Sequence, residues 1–449
     1  MMARLAQWMI PLSVTTLLCT VPSAGHAESP VLTLEQSIAL ALQQNPQQRA
    51  ARFARDAAQA QIDREKPVFR PTITAVASGT FQGSRVTFPR PDGPEATFLP
   101  EEFYQLHLTV EQPLYRPGLR AARQRYTAQT QALSFDLARA RAELARTVRK
   151  AYLDVLRAEA AVRTAQEGLD FAERYRVLVN RQIEAGIARP VDAQAAAAQV
   201  AEARAGLTQA QSGLHIARMN FNREIGSPLP APVALQPIDP LPSLTEPTED
   251  AIATALRTRP ELCQLEHSLV AAKAGVSLAR TQSHPALHAR GQFIEQTRTA
   301  LLPQTYAAAT LEVRWPLHDG GRARSDTLAA QAQVSRLEAL LEEARQGVTL
   351  EIRVAWERVR EARDRIALAR EQVNAAKAAL IVAEKAYEVG RGTLIEVQRT
   401  HREVRIAEGR EQQAHFDLLA AETDYLYALG LLLPAHSPSQ PPPAAGSRP

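Results

Sequence analysis

The chain holds two cysteines in 449 residues, Cys19 and Cys263. The first falls in a stretch, 1–27, that reads as an export signal. Arg4 gives a positive start, Trp8 to Val21 is largely apolar, and Ala24-Gly25-His26-Ala27 offers small residues for cleavage. A lipidated cysteine is normally preceded by Gly, Ala or Ser, and here the preceding residue is Leu18, so no lipid anchor is expected. With the signal removed Cys263 stands alone, which excludes an intrachain disulfide and leaves packing to hold an exported protein together. Charge of one sign is scarce as well. The formal net charge of +4 falls to +3 without Arg4, too small a surplus to imply a nucleic-acid partner. No run of about 18 apolar residues follows the signal, so a spanning helix is excluded and membrane insertion is restricted to β-strands. Aromatics make up 5%, while Ala, Gln, Arg and Glu dominate, the composition of long helices packed through small residues.

What the chain does contain, it contains twice. Leu34 to Leu42 with Asn45-Pro46 returns as Thr248 to Leu256 with Arg259-Pro260, and Pro71 returns as Pro285, both at an offset of 214. From Pro113 and Pro316 the offset is 203. It then settles at 204 for Tyr152 and Trp356, Gly186 and Gly390, and Gly226 and Gly430. Two repeats are therefore expected, 28–226 and 248–433. Seven prolines between Ser227 and Pro247 mark an extended connector at 227–247. A Pro/Ser/Ala-rich tail, 434–449, reads as disordered.

Each repeat predicts a helix, two strands, a very long helix, a tip and a last helix. Arg120 to Arg189 and Arg322 to Val389 contain no proline, and helices of about 65 residues would reach roughly 100 Å. Apolar residues recur at four and seven positions: Tyr126, Leu133, Leu137, Leu144, Val148, Val155, Val162 and Leu169 in the first, Val359, Ile366, Val373, Leu380 and Tyr387 in the second. A sustained period of seven is a coiled-coil signal. The stripes are narrow, which fits a hollow wall of helices better than a solid bundle.

Strands are expected near 71–82, 102–114, 285–296 and 305–316. In the second, Tyr104, Leu106, Leu108 and Val110 alternate with Gln105, His107, Thr109 and Glu111. In the third, Leu287, Ala289, Gly291 and Phe293 alternate with His288, Arg290 and Gln292. In the fourth, Leu311, Val313 and Trp315 alternate with Thr310, Glu312 and Arg314. Strands of about ten residues with one apolar and one polar face suit a transmembrane barrel with the polar face on the lumen. Four strands cannot close one, and an open edge is not tolerated in lipid, so three copies with twelve strands are expected. Trp315 and Tyr104 are candidate interface aromatics. Phe88 to Pro100, between the first two strands, reads as a surface loop.

These residues resemble the TolC-like outer-membrane efflux protein family over about Leu32 to Leu433. The family's strand-to-helix turn, Pro-Leu-aromatic-x-Gly-Gly, appears as Pro316-Leu317-His318-Asp319-Gly320-Gly321 and, degraded, as Pro113-Leu114-Tyr115-Arg116-Pro117-Gly118. Its tips appear as Ala185-Gly186-Ile187 with Val191-Asp192, and as Tyr387-x-Val389-Gly390-x-x-Thr393-Leu394-Ile395-Glu396-Val397. The resemblance implies a mainly α fold with a small β part: a homotrimer with a shared twelve-stranded barrel in outer-membrane lipid and a coiled-coil tunnel through the periplasm of a Gram-negative bacterium. It implies an export channel of a tripartite efflux or type I secretion system. The partners would be a periplasmic adaptor (membrane fusion protein) and an inner-membrane pump of the RND, ABC or MFS type. Adaptor docking would fall on Ala185, Gly186, Ile187, Arg189, Val389, Gly390 and Arg391.

The resemblance also implies a periplasmic gate. Asp192 and Tyr387 match a linking carboxylate and phenol, and Glu396 matches an acidic position. Arg399 departs from the family's second acid, so a mixed-charge ring of Glu396 and Arg399 is expected, with an ordinary i,i+3 ion pair as the plainer alternative. No cofactor is expected. His284 and His288 are separated by Pro285 and do not read as a metal pair. No nucleophile with its base, paired carboxylates or phosphate loop is present, so no catalysis is expected. A periplasmic coiled-coil adaptor or scaffold without a pore remains the competing reading, and the substrate is not legible.

Overall fold

The computed structural model describes residues 31–65, 70–91, 93–186, 189–240, 244–297, 303–389 and 391–432. The expected signal at 1–27 and the tail from 434 lie outside the described residues.

The chain opens with α1 (Leu34–Gln44) and α2 (Pro46–Glu65). Thr33 and Gln36 cap α1 reciprocally, the Gln36 N–H donating to Thr33 Oγ1 at 3.2 Å and the Thr33 N–H to Gln36 Oε1 at 3.0 Å. Pro46 lacks an N–H and can only start a new helix, so the chain breaks at Asn45. Four strands follow: β1 (Thr72–Phe81), β2 (Val86–Arg90), β3 (Gly93–Leu99) and β4 (Glu102–Tyr115). Then come α3 (Leu119–Glu184, 66 residues) and α4 (Pro190–Ile225). The second half repeats the order with α5 (Glu249–Thr258), α6 (Pro260–Arg280), β5 (Ala286–Gln296), β6 (Thr305–Arg314), α7 (Arg322–Glu388, 67 residues) and α8 (Leu394–Ala428). At 1.5 Å per residue α3 and α7 are each about 100 Å long. No helix among the described residues is long and apolar enough to cross a membrane.

The sheet order is β1-β4-β5-β6, antiparallel throughout, so each half supplies an edge strand and a central one. Its apolar face is bare: Ile73, Leu311 and Val313 are about two-thirds exposed. Phe88 to Pro100, expected as a loop, instead contains most of a separate β2–β3 hairpin. Val86, Phe88, Ala96 and Phe98 alternate with Thr87, Glu95 and Thr97, and Thr87 Oγ1 donates to Glu95 at 2.9 Å. That alternation is sufficient to form a two-stranded ladder.

The helices form a wall one layer thick. Toward the tips α3 packs on α4 and α8, and α8 packs on α7. Toward the sheet α6 lies between α3 and α7, and α2 packs on α3. The seven-residue stripes are the buried faces, but small residues fill much of them. On α3 the buried set beyond Leu156 is Ala160, Gly168, Ala172 and Val179, whereas Val162 and Leu169 are only half-buried. A side chain at Gly168 would collide with the Arg405 guanidinium, since a Cβ there would lie 2.3 Å from its Nη1.

At mid-height the two halves use equivalent positions for one task. Asn45 Nδ2 donates to the Glu224 carbonyl at 2.7 Å, and Arg259 Nη1 donates to the Ala428 carbonyl at 3.1 Å, each tying a helix break to the end of its half's last helix. Tyr152 packs edge-on against Phe221, and Trp356 packs against Tyr425, again at equivalent positions. The hydroxyls hold the connectors: Tyr152 donates to Leu32 O (2.9 Å) and Gln236 O (2.6 Å), Tyr425 to Thr245 O (3.0 Å). Leu32 and Leu235 form a parallel bridge beside them.

The ring of Tyr152 is fully buried, so removing its hydroxyl takes the donor from the Gln236 carbonyl, while Leu32 O keeps the Gln236 N–H at 3.2 Å. Tyr152→Phe is expected to destabilise the collar by about 1–3 kcal/mol. A drop in the temperature at which the assembled protein dissociates on a semi-native gel checks this; an unchanged temperature would show that the hydroxyl anchors nothing.

Candidate functional site

Two regions carry the expected functional residues: the polar face of the sheet and the helical tips. On the sheet, the register places all ten expected polar residues on one face. Rows run across the strands as Ser78, Gln105, Gln296; Thr74, Thr109, Gln292, Ala308; Thr72, Glu111, Arg290, Thr310; and Pro113, His288, Glu312, with Arg314 opposite Ala286. Along β4 the polar members Gln105, His107 and Thr109 are half-buried while Tyr104, Leu106 and Leu108 between them are exposed. The polar face is therefore the more sheltered side of the sheet. Its charges compensate locally: Arg290 meets Glu111 at 2.7 Å, and Arg314 meets Glu312 at 2.8 Å. One row departs from the sequence reading. His107 lies between Val76 and Ile294, with Tyr306 beyond. Ile294 and Tyr306 fall within the expected strands, 285–296 and 305–316, but they are apolar residues on the polar face and break its alternation.

At the first tip α3 ends with Ala185, whose N–H returns to Arg181 O at 3.0 Å, and Gly186, which takes a left-handed φ of 73°. Ile187 lies outside the described residues. Arg189 precedes Pro190, and its N–H donates to Asp192 Oδ2 at 2.9 Å. The Arg189 guanidinium sits 3.6 Å from the same carboxylate. At the second tip the N–H groups of Arg391 and Gly392 both return to Ala386 O, at 2.8 and 2.9 Å. Gly390 lies outside the described residues. Val389 and Ile395 at the second tip are about 70% exposed and Val191 at the first is more than half exposed, so both tips present apolar side chains beside arginines. Thr393 and Glu396 form a capping box: the Thr393 N–H donates to Glu396 Oε2 at 2.9 Å, and the Glu396 N–H to Thr393 Oγ1 at 3.3 Å.

The gate residues meet other partners than the sequence suggested. Tyr387 does not reach Asp192; its hydroxyl accepts from the Gln182 carboxamide, which ties α7 to α3. Tyr175 lies in the same cluster, and burial together with the charges of Asp192 and Tyr387 raises its pKa. Glu396 and Arg399 form no ion pair, because Glu396 is committed to the helix cap and Arg399 turns one turn further to Glu403 at 3.7 Å. Asp192 and Glu396 are equivalent positions, and each serves the N-terminus of the helix it opens. The signal was present: Thr393-x-x-Glu396 is a capping-box sequence. Gln182 was findable too, since Gly168, Ala172, Tyr175, Val179 and Gln182 continue the stripe of α3 in steps of four and three.

A family profile described as outer membrane efflux protein matches residues 37–227 and again 251–430. The chain belongs to this family. Protein CyaE of Bordetella pertussis is 28% identical over 219 residues, 47% of this chain and 46% of CyaE. The pyoverdine export outer membrane protein OpmQ of Pseudomonas aeruginosa is 26% identical over 322 residues, 70% of this chain and 66% of OpmQ. The chain thus spans about half the length of the first and just under two-thirds of the second. The open-state MtrE outer membrane channel of Neisseria gonorrhoeae shares the fold, with a TM-score of 0.72 over 88% of each chain at 22% identity. The family is one of channels and is non-enzymatic. Among the described residues no cluster of potential metal ligands occurs.

The Glu396 carboxyl is held below the usual carboxylate range by the Thr393 backbone N–H, then by the Thr393 hydroxyl, with Arg399 contributing least. A depressed pKa means that the cap is complete above the ordinary carboxylate value of about 4.3 and is lost as pH falls through the folded value. Amide protection at residues 394–397 is expected to decrease on acidification below about pH 4.3, and this pH dependence is expected to vanish in Glu396→Gln. Protection that does not change on acidification would exclude the cap as an acid-labile element.

Proposed function

We propose that the chain is one protomer of a trimeric outer-membrane channel that exports substrates as the outer component of a tripartite efflux or type I secretion system. The observation that carries this reading is the four-stranded sheet with a bare apolar face, a charged sheltered face and two open edges, continuous with two helical hairpins about 100 Å long. Three copies would close twelve strands. The apolar face would meet lipid, and Gln105, His107, Thr109, Glu111, His288, Arg290, Gln292, Thr310, Glu312 and Arg314 would line a water-filled lumen. Because its carboxylates and arginines compensate in pairs, that lumen would select weakly between anions and cations. The helical wall would extend through the periplasm, where a family channel works with an adaptor and an inner-membrane pump.

The tips are the docking surface in this reading: Ala185, Gly186, Ile187 and Arg189 on one, Val389, Gly390 and Arg391 on the other. Photo-crosslinking in cells from positions 189 and 391 is expected to capture a periplasmic adaptor at both. Failure at both, in cells where the protein is trimeric and in the outer membrane, would favour a stand-alone pore. A protein absent from the outer-membrane fraction would instead favour the scaffold reading.

The gate belongs to the same proposal. Tyr387 with Gln182 would hold the two hairpins of a protomer together, and Arg399 of each copy would approach the threefold axis beside Glu396. Arg399→Asp is then expected to strengthen block of the channel by divalent cations, read as single-channel conductance with increasing divalent concentration. Unchanged block would place Arg399 away from the constriction.

A further inference from the structure

The junctions where strands turn into helices carry charge of one sign. Residues 70–71, 115–125, 280–285 and 315–325 contain eight arginines and a single acid, Asp319. Arg70, Arg116, Arg120, Arg123, Arg322 and Arg324 are all exposed, and among the described residues none of them forms an ion pair. Further along the same helices many of the arginines are paired. Arg139, Arg146 and Arg157 on α3 and Arg345, Arg353 and Arg360 on α7 each meet a carboxylate. Asp319 does not offset the arginines either. Its carboxylate accepts from the N–H groups of Gly321 (2.9 Å) and Ala323 (2.8 Å) and so caps α7.

This arrangement works against the fold when the chain is considered alone. A helix N-terminus carries partial positive charge and favours anions. The first turns of α3 and α7 hold no acid; α3 opens with Arg120 and Arg123, and α7, capped only by the single carboxylate of Asp319, opens with Arg322 and Arg324. Like charges at the positive end of a dipole raise the local energy unless something outside the chain compensates them.

The position of the belt identifies what that is. On the apolar face of the sheet, Tyr115 stands opposite Leu287, which stands opposite Val313, two residues before Trp315. Tyr115 and Trp315 are both more than half exposed, as is Leu317 just beyond. Aromatic side chains at the end of an apolar face followed by arginines are the chemistry of a membrane–water interface. The depth also fits. The helical arginines lie within about 6 Å of their helix starts, and the headgroup layer on one side of a bilayer is roughly 5–8 Å thick.

We infer that these junctions form a belt that binds the anionic headgroups of phospholipids in the leaflet facing the helices. The belt seats the channel at a fixed depth and neutralises the ends of α3 and α7. The inference rests on the sheet spanning the membrane, as proposed above. The full-length protein in phosphatidylcholine vesicles, with trace spin-labelled phosphatidylglycerol or phosphatidylcholine, reports the preference of the lipids in contact with it. Wild type is expected to favour phosphatidylglycerol about threefold, with the preference falling to parity at high salt and in the variant R120Q/R123Q/R322Q/R324Q. The variant R345Q/R360Q, which alters paired arginines far along α7, is expected to keep it. Parity in wild type, or a quadruple variant that retains the preference, overturns the belt while leaving the channel in place. If the quadruple variant does not assemble, a wild-type preference insensitive to salt overturns it equally. A wild-type protein that does not enter vesicles sinks the membrane-spanning reading and the belt with it.

Discussion

A strand edge in hydrocarbon must have its N–H and C=O groups paired, at several kcal/mol for each one left open. β1 and β6 are the edges of the sheet, so this requirement governs the rest of the structure. In chain order β6 is followed by α7, and α2 is followed by β1. The elements that need a neighbour in the sheet are therefore joined to helices that need one in the wall. Leu328, Leu350, Leu368 and Val382 on α7 are all more than half exposed, along the helix that follows the open strand. In the proposed trimer, the contacts that close the sheet would also close the helical wall.

The gene-level repeat reappears in the physics of the collar. Asn45 and Arg259 stand at equivalent breaks and satisfy equivalent carbonyls with different donors. The change from Asn to Arg brings a charge into a nearly closed site, and the chain supplies Glu261, Glu351 at 2.5 Å and the face of Tyr427 at 5.3 Å to hold it. The hydroxyl that fastens the connector likewise moves from Tyr152 on α3 to Tyr425 on α8, while its aromatic partner changes to Phe221 or Trp356. What is kept between the halves is the set of groups that must be satisfied. The residues that satisfy them have drifted.

Periodicity and the repeat made the long helices, the four sheet strands and the polar face readable, since a stripe of seven or an alternation of two needs no knowledge of neighbours. Side-chain partners were harder. Tyr387 and Asp192 were paired by resemblance, yet Asp192 is held by the Arg189 N–H three residues away, and Tyr387 finds Gln182 from a helix more than 200 residues distant in sequence. Glu396 and Arg399 share a face by spacing, but a backbone N–H with no other acceptor competes more strongly for the carboxylate than an exposed guanidinium does. The β2–β3 hairpin was missed because its prolines and glycine suggested a loop, although its alternation was as clear as that of the longer strands.

Local spacing was enough to read where the long helices lie and which faces of the strands are apolar and which polar, although the break at Asn45 and Arg259 that splits each opening helix in two was not read. Tertiary structure alone decided which strand neighbours which, which donor closes each helix end and which residues link the tips. Those outcomes depend on competition among groups brought together from distant parts of the chain, and the order β1-β4-β5-β6 is the clearest case. Each half contributes an edge and a centre, so the central pairing of β4 with β5 fuses the two halves into one sheet and leaves β1 and β6 as its open edges.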